Sequence, residues 1–414
     1  MTGKQLDVTR CRIRRRPEIT MKRPVSRFDR IMSGLKNNPV VGILIAAGTI
    51  VIALSTFTNA ARSLLGLVKG QSQESARAAL TNLSLEFTPH AFVERAKQGD
   101  AGAVRLFIAA GMNPNAKDDE SNTALMYAIG ERRTEIIKAL LTAKADVNVT
   151  NNGGGTAVGW AAERGQLDTV RLLLQNGAGA AAINEGFVAA AEGGRADVVR
   201  TLLEKGARLN EVGSKALLAA AGSTVVGAGD EGRNETVKLL LSLGVDVNAR
   251  DNDGWTALLL ASDRDRASVA QTLLDRGADA NAKCDCPGYL SGGWTALMIA
   301  SREGRAGIVK MLLAKHAAVD LRNNQGRTAL TVAAGKGDAE VVRILLDGGA
   351  NANAQDVEGT TPLMVAASEG NLEAAKTLLQ RGARVDEKDF KGKSAMQFAT
   401  PEVKAALVRP RTKD

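Results

Sequence analysis

The chain has 414 residues, 44% of them hydrophobic and 24% charged, with three cysteines and two histidines. So few thiols exclude a disulfide-stapled scaffold, and so few imidazoles leave little material for histidine-based metal or acid–base chemistry. Of the formal net charge of +9, residues 1–36 carry +8, so the rest of the chain gives no reason to expect a nucleic-acid-binding face.

Residues 1–36 hold eleven Lys/Arg against Asp7, Glu18 and Asp29, and read as a basic, disordered tail. Residues 37–61 contain no charged side chain, and Val40–Phe57 within them is almost wholly apolar. A helix of that length rises about 27 Å, close to the hydrocarbon thickness of a bilayer, so the segment predicts one N-terminal transmembrane helix. A buried core helix and a leader cleaved near Ala60 are the competing readings. The Lys/Arg excess ahead of the span places the N-terminus in the cytoplasm and the remainder in an extracytoplasmic, periplasmic-type compartment. Residues 62–86 read as a helical connector.

From residue 87 to 409 the chain repeats. The recurring phrase is a capping residue, a small residue or Pro, an apolar residue, and then a pair of small residues. The cap position falls at His90, Thr123, Thr156, Glu185, Lys215, Thr256, Thr295, Thr328, Thr361 and Ser394, and five of the nine intervals equal 33 residues. A fixed period of this size means stacked helical units. Thr361-Pro362-Leu363 supplies a capping hydroxyl, a Pro for the first helical turn and a core Leu. Ala366-Ala367 permits close approach of neighbouring units, and Gly370 ends the helix. "NLEAAKTLLQRGA" is a second amphipathic helix stopped by Gly382, and "RVDEKDFKG" is a polar turn projecting outward.

"TALMIASREGRAGIVKMLLAKHAAVDLRNNQG", "TALTVAAGKGDAEVVRILLDGGANANAQDVEG" and "TPLMVAASEGNLEAAKTLLQRGARVDEKDFKG" resemble ankyrin repeats. The resemblance implies an all-α solenoid of about ten helix pairs. It also implies partners that touch the outward turns and the residues after the small pair. Several positions depart from the family's pattern. Met126, Gly159, Leu259, Met298, Thr331 and Met364 stand where the family usually has His. The unit at Glu185 lacks most of its outward turn, which opens a gap in the binding face. Lys144 and His316 replace the Gly after the second helix. The 41-residue interval puts eight extra residues between helices at "GSTVVGAGDEGRN".

The positions so implied are Trp255, Trp294 and Arg327 on the turns, and Asp263, Arg264, Arg302, Glu303 and Lys336 on the helices. Tyr289 and Phe390 add aromatic candidates. Trp and Arg are the types that most often dominate interfaces, although each Trp also suits a staple against the neighbouring turn. "NAKCDCPGYLSGGWTALMIAS" repeats the preceding "NARDNDGWTALLLAS" with six residues added, and Cys284 and Cys286 are assigned to the added turn. Two thiols fall short of a structural zinc site, and the glycines are not followed by the Lys-Ser/Thr of a phosphate loop. A passive extension and an oxidisable pair remain open. No nucleophile elbow, triad or metal motif appears, so neither an enzyme nor a cofactor nor a small-molecule substrate is expected. The expected function is a membrane-anchored protein-binding scaffold, held through residues 37–61. The alternatives are a secreted effector or immunity-type protein and a redox-responsive adaptor using Cys284/Cys286.

Overall fold

The computed structural model describes residues 72–225, 229–285 and 292–408. The transmembrane segment expected at 37–61 lies outside them. Among the described residues no helix is long and apolar enough to cross a membrane.

The described residues form 21 helices and no strand longer than an isolated bridge. They are α1 (Gln73–Asn82), α2 (Pro89–Gln98), α3 (Ala101–Ala109), α4 (Ala124–Gly130), α5 (Thr134–Thr142), α6 (Ala157–Glu163) and α7 (Leu167–Gln175). Next come α8 (Ala180–Glu192), α9 (Ala196–Glu204), α10 (Leu209–Gly222), α11 (Gly229–Ser242), α12 (Ala257–Asp263), α13 (Ala267–Asp275) and α14 (Ala296–Arg302). The last are α15 (Ala306–Ala314), α16 (Ala329–Lys336), α17 (Ala339–Asp347), α18 (Pro362–Ser368), α19 (Leu372–Gln380), α20 (Ala395–Phe398) and α21 (Pro401–Val408). In chain order α2 to α21 make ten helix pairs.

Two compact units share the chain, and their division falls inside α2. The first holds the described residues up to Phe92 together with Ala101–Asn113. Its core gathers Leu80, Phe92, Val104 and Phe107, with the rings of Phe92 and Phe107 5.7 Å apart. Gln73 and Arg77 of α1 both donate to the Ala110 carbonyl at the end of α3, at 3.0 and 3.1 Å. That carbonyl is one a helix end leaves without an intrahelical partner.

The second unit, Val93–Asp100 and everything from Pro114, is a stack in which first helices pack on first helices and second on second. The first helices are short because a capped Thr starts them. Oγ1 of Thr123, Thr156, Thr256, Thr295, Thr328 and Thr361 accepts the N–H of the third residue on, at 3.0–3.4 Å. Each such cap is worth about 1 kcal/mol. The acceptance uses the backbone of Met126, Gly159, Leu259, Met298, Thr331 and Met364, so loss of the family's His leaves capping intact.

Three expected caps are not caps. His90 sits inside α2, where Thr88 takes the role by accepting the Ala91 N–H at 3.2 Å. Glu185 and Lys215 lie within α8 and α10, which run 13 and 14 residues against seven or eight for α4, α6, α12, α14, α16 and α18. There the outward turn is absorbed into a longer first helix, so two adjacent units lack it rather than one. The eight extra residues after α10 have a different fate. Part of them lengthens α11 to 14 residues where most second helices have nine.

Candidate binding face

Six of the outward turns are each built around one anchor residue whose side chain accepts two backbone N–H groups of the same turn. Asp118, Asn151, Asp251, Asn323, Asp356 and Asp389 all do so, at 2.7–3.0 Å. A left-handed glycine follows in five of the six, Gly154, Gly254, Gly326, Gly359 and Gly392, at φ of 73–80°. Cys284 holds the anchor position in the remaining turn. Its N–H donates to the Trp294 carbonyl at 3.0 Å, as that of Asp251 does to Trp255 at 3.1 Å. The six added residues are therefore 286–291, between Asp285 and Gly292, and Cys284 replaces the usual Asp rather than belonging to the extension. Cys284 is 2% exposed and disulfide-bonded. Cys286 and Tyr289 lie outside the described residues.

Long side chains preceding the anchors tie the turns together. Lys117 donates to the Thr150 carbonyl, Arg250 to that of Lys283, Lys283 to that of Arg322 and Gln355 to that of Lys388, at 2.7–3.1 Å. Behind the turns, Asn115, Asn148, Asn248, Asn281 and Asn353 accept the backbone N–H of the next unit at 2.7–2.9 Å.

The expected site residues fall into three groups. Trp255, Trp294 and Arg327 immediately precede capping threonines. Trp255 is half-buried, whereas Trp294 is only 7% exposed, with the Arg302 guanidinium 5.9 Å from its ring centre. Arg327 pairs with the buried Asp356 at 3.4 Å, which bridges adjacent turns. Asp263 and Arg302 close α12 and α14 in one register, and Lys336, the last residue of the longer α16, stands in register with Arg264 and Glu303, the residues after them. Asp263 pairs with Arg264 at 3.3 Å and Arg302 with Glu303 at 3.8 Å. Phe390 stands apart at a turn tip, 75% exposed, next to Val357 at 62%.

Composition-based reasoning missed two residues of this face. The fourth residue after each capping Thr is Tyr127, Trp160, Leu260, Ile299, Val332 or Val365, and all but the buried Ile299 are half-exposed. Tyr127 and Trp160 meet edge to face, 5.8 Å apart. The Lys97 ammonium lies 5.2 Å from the Tyr127 ring and the Arg164 guanidinium 5.1 Å from that of Trp160. Tyr127 donates its hydroxyl to Asp118 at 2.8 Å, and partial burial followed by that bond raises its pKa. The shared register of the six positions was the available signal.

The most unusual electrostatics sit where the two outward turns are missing. The Glu185 carboxylate accepts the Thr156 hydroxyl at 2.7 Å, over the space that Gly159 leaves open. Burial raises its pKa, and Glu163 and Glu192 add to the rise against the lowering effect of the Thr156 hydrogen bonds. Arg233 is 1% exposed and donates to the carbonyls of Glu192 and Val225 at 2.6 and 2.5 Å. Burial, then the nearby Arg266, lowers its pKa.

A family model of ankyrin repeats matches residues 92–184, 225–323 and 297–389, more than half of the chain. The chain belongs to the ankyrin-repeat family. The unmatched stretch between residues 184 and 225 is that of α8 to α10, where the ankyrin units have lost their outward turns. Among curated proteins, the chain is 34% identical over 184 residues to the B-cell lymphoma 3 protein homolog of Mus musculus, covering 44% of this chain and 34% of that protein. It is 31% identical over 158 residues to ankyrin repeat and KH domain-containing protein mask-1 of Caenorhabditis elegans, 38% of this chain and 5% of that one. It is 53% identical over 47 residues to the mitochondrial disaggregase of Bos taurus, 11% of this chain and 7% of that one. The chain thus spans about a third or less of these relatives' length.

These relatives, and a similar fowlpox virus ankyrin repeat protein, are eukaryotic or viral, so the expected bacterial type is not supported. The localisation expected from the sequence is corrected as well. No helix among the described residues is long and apolar enough to cross a membrane, and the matched relatives are eukaryotic or viral, so a single-pass protein with periplasmic repeats is not retained.

Proposed function

We propose that this chain is a protein-binding scaffold whose partner lies along the first helices and outward turns. The observation that carries the reading is the row of half-exposed apolar side chains, Tyr127, Trp160, Leu260, Val332 and Val365, in one register along rigidly fastened units. A preorganised surface lowers the ordering cost of association, and paired aromatics flanked by cations suit an interface centre. Trp255, Arg264, Arg302, Glu303, Lys336 and Phe390 extend the contact zone toward the C-terminus. Asp263 and Arg327 position neighbouring charges, and the buried Trp294 supports the turn beneath them. Tyr289 belongs to the same proposed surface by sequence.

The test is affinity capture with the full chain against a variant carrying Tyr127→Ala and Trp160→Ala. Loss of a specifically recovered protein, with the circular dichroism melt retained, is the expected result. Equal recovery by both chains would remove these residues from the interface.

A further inference from the structure

We propose that the stretch lacking two outward turns is a docking slot for a partner's polypeptide loop, gripped by main-chain hydrogen bonds. The inference rests on the scaffold reading and specifies where that scaffold holds a partner's backbone.

Where two turns are neighbours, they close on each other in a fixed way. The N–H of the residue after the anchor donates to the carbonyl two residues past the preceding anchor. Asn152 thus bonds Glu120, Val357 bonds Gln325 and Phe390 bonds Glu358, at 3.0–3.2 Å. In the Cys284 turn, Asp285 bonds Asp253 at 3.1 Å, and Asn324 of the following turn bonds Gly292 at 3.0 Å. The same backbone closes over the preceding left-handed glycine. A Cβ on Gly326 or Gly359 would come within 2.8 Å of the next turn's amide nitrogen, and one on Gly293 within 3.1 Å.

At the slot these contacts stop on both sides. Gly154, at φ +77°, has nothing within 4 Å of its Cβ direction. The Gly153 carbonyl, counterpart of those of Glu120 and Gln325, receives no N–H among the described residues. Across the slot the Asn252 N–H, counterpart of those of Val357 and Phe390, finds no acceptor among them either. Among the described residues, the units between have the extended first helices α8 and α10 in place of outward turns.

The closed junctions state what an occupant must offer. The atoms nearest the covered glycines are largely amide nitrogens and Cα atoms, so the complement is polypeptide main chain presenting an N–H and a carbonyl. Trp160 borders the slot, its Nε1 3.3 Å from the Cβ direction of Gly155. The Glu163 and Glu192 carboxylates both repel that of Glu185 from the adjoining helices. Arg164 partners Glu163 at 3.4 Å and Ser223 donates to Glu192 at 3.3 Å, while among the described residues Glu185 accepts only from Thr156. A basic residue beside the partner's turn complements this charge.

The probe is a cyclised peptide of residues 354–361, with a benzophenone side chain at the position of Val357, added to the full chain. The expected product is a crosslink to residues 152–155, and because the slot is two turns wide a second copy of the peptide at the other edge should slow exchange of the Asn252 amide at least fivefold. Gly154→Asn keeps the left-handed turn and places an amide over the open edge, and should cut the crosslink at least tenfold. A crosslink absent from 152–155, or unchanged in Gly154→Asn, overturns the slot. So does an Asn252 amide already as slow as that of Val357 in the chain alone, since the chain's own residues would then fill it. The Tyr127/Trp160 capture experiment is independent, so a scaffold that binds without using the slot is recognised as such.

Discussion

Glu185 shows how one substitution propagates between units. At Gly159 the absent side chain makes room for a carboxylate from α8, which takes over a polar contact to the cap of α6. Its folded-state pKa is raised, so its favourable contribution is complete below the ordinary carboxylate value near 4.5 and is lost as pH rises through the folded value. Glu185→Gln keeps an acceptor for the Thr156 hydroxyl and removes the buried charge. The variant should melt higher than the parent at neutral pH, and the advantage should shrink as the pH falls through the raised folded value and be nearly gone below 4.5. A melting series across pH checks this, and a gap that widens on acidification would contradict it. Gly159→Ala tests the same contact from the other side. Its Cβ falls on the Glu185 carboxylate, which must leave the Thr156 hydroxyl, and even after the helix propensity gained by Ala the net cost should be about 1 kcal/mol. Much of that loss should return in the double variant with Glu185→Ala, because the two side chains share one space.

At the scale of the element, the outward turn is held by its anchor more than by its tip. Asp356 is 7% exposed, accepts the N–H groups of Glu358 and Thr360 at 2.9 Å, and pairs with Arg327. Asp356→Ala strands two backbone donors and a cation, for an expected loss of about 2–4 kcal/mol. Amide exchange should rise at Glu358 and Thr360 while the distant turn anchored by Asp118 keeps its rate. Uniform acceleration would show instead that the turns do not act separately. The anchors also explain what the sequence made legible. A period of 33 residues, threonine caps and glycine stops each have a local cause, so the helix pairs could be read without a structure. The phrase misled at Glu185 and Lys215, where it was carried onto Ala-rich stretches. "AAAINEGFVAAAE" has the propensity to continue as helix through the supposed cap. Cys284 was misassigned for a related reason: aligning on letters hid that the thiol stands at an anchor position normally filled by Asp or Asn. Tyr127 and Trp160 were not legible because they stand in the middle of first helices, half-exposed, where neither turn chemistry nor a helix end marks a position.

At the scale of the whole molecule, a stack of units distributes its stability through neighbour contacts, and position along the stack sets the consequence of a change. Val199 in α9 and Val403 in α21 are both 0% exposed, the one the fourth and the other the third residue of a second helix. Truncating either to Ala removes the same two methyl groups and opens a similar cavity, with an intrinsic cost of roughly 1–3 kcal/mol. Val199 is flanked on both sides: α9 packs against α7 and α11 as well as its own α8. Val403 belongs to a terminal pair of four- and eight-residue helices, packed against α18 and α19 and followed by no further helix among the described residues. Val199→Ala should therefore lower the urea midpoint of the main transition by its full cost. Val403→Ala should leave that midpoint nearly unchanged and instead release the amides of α20 and α21, a local opening that bypasses the rest of the stack. Circular dichroism reads the first effect and amide exchange the second. Equal midpoint shifts would mean that the stack melts as one cooperative body to its last turn, and that the short terminal helices are as firmly held as those in the middle.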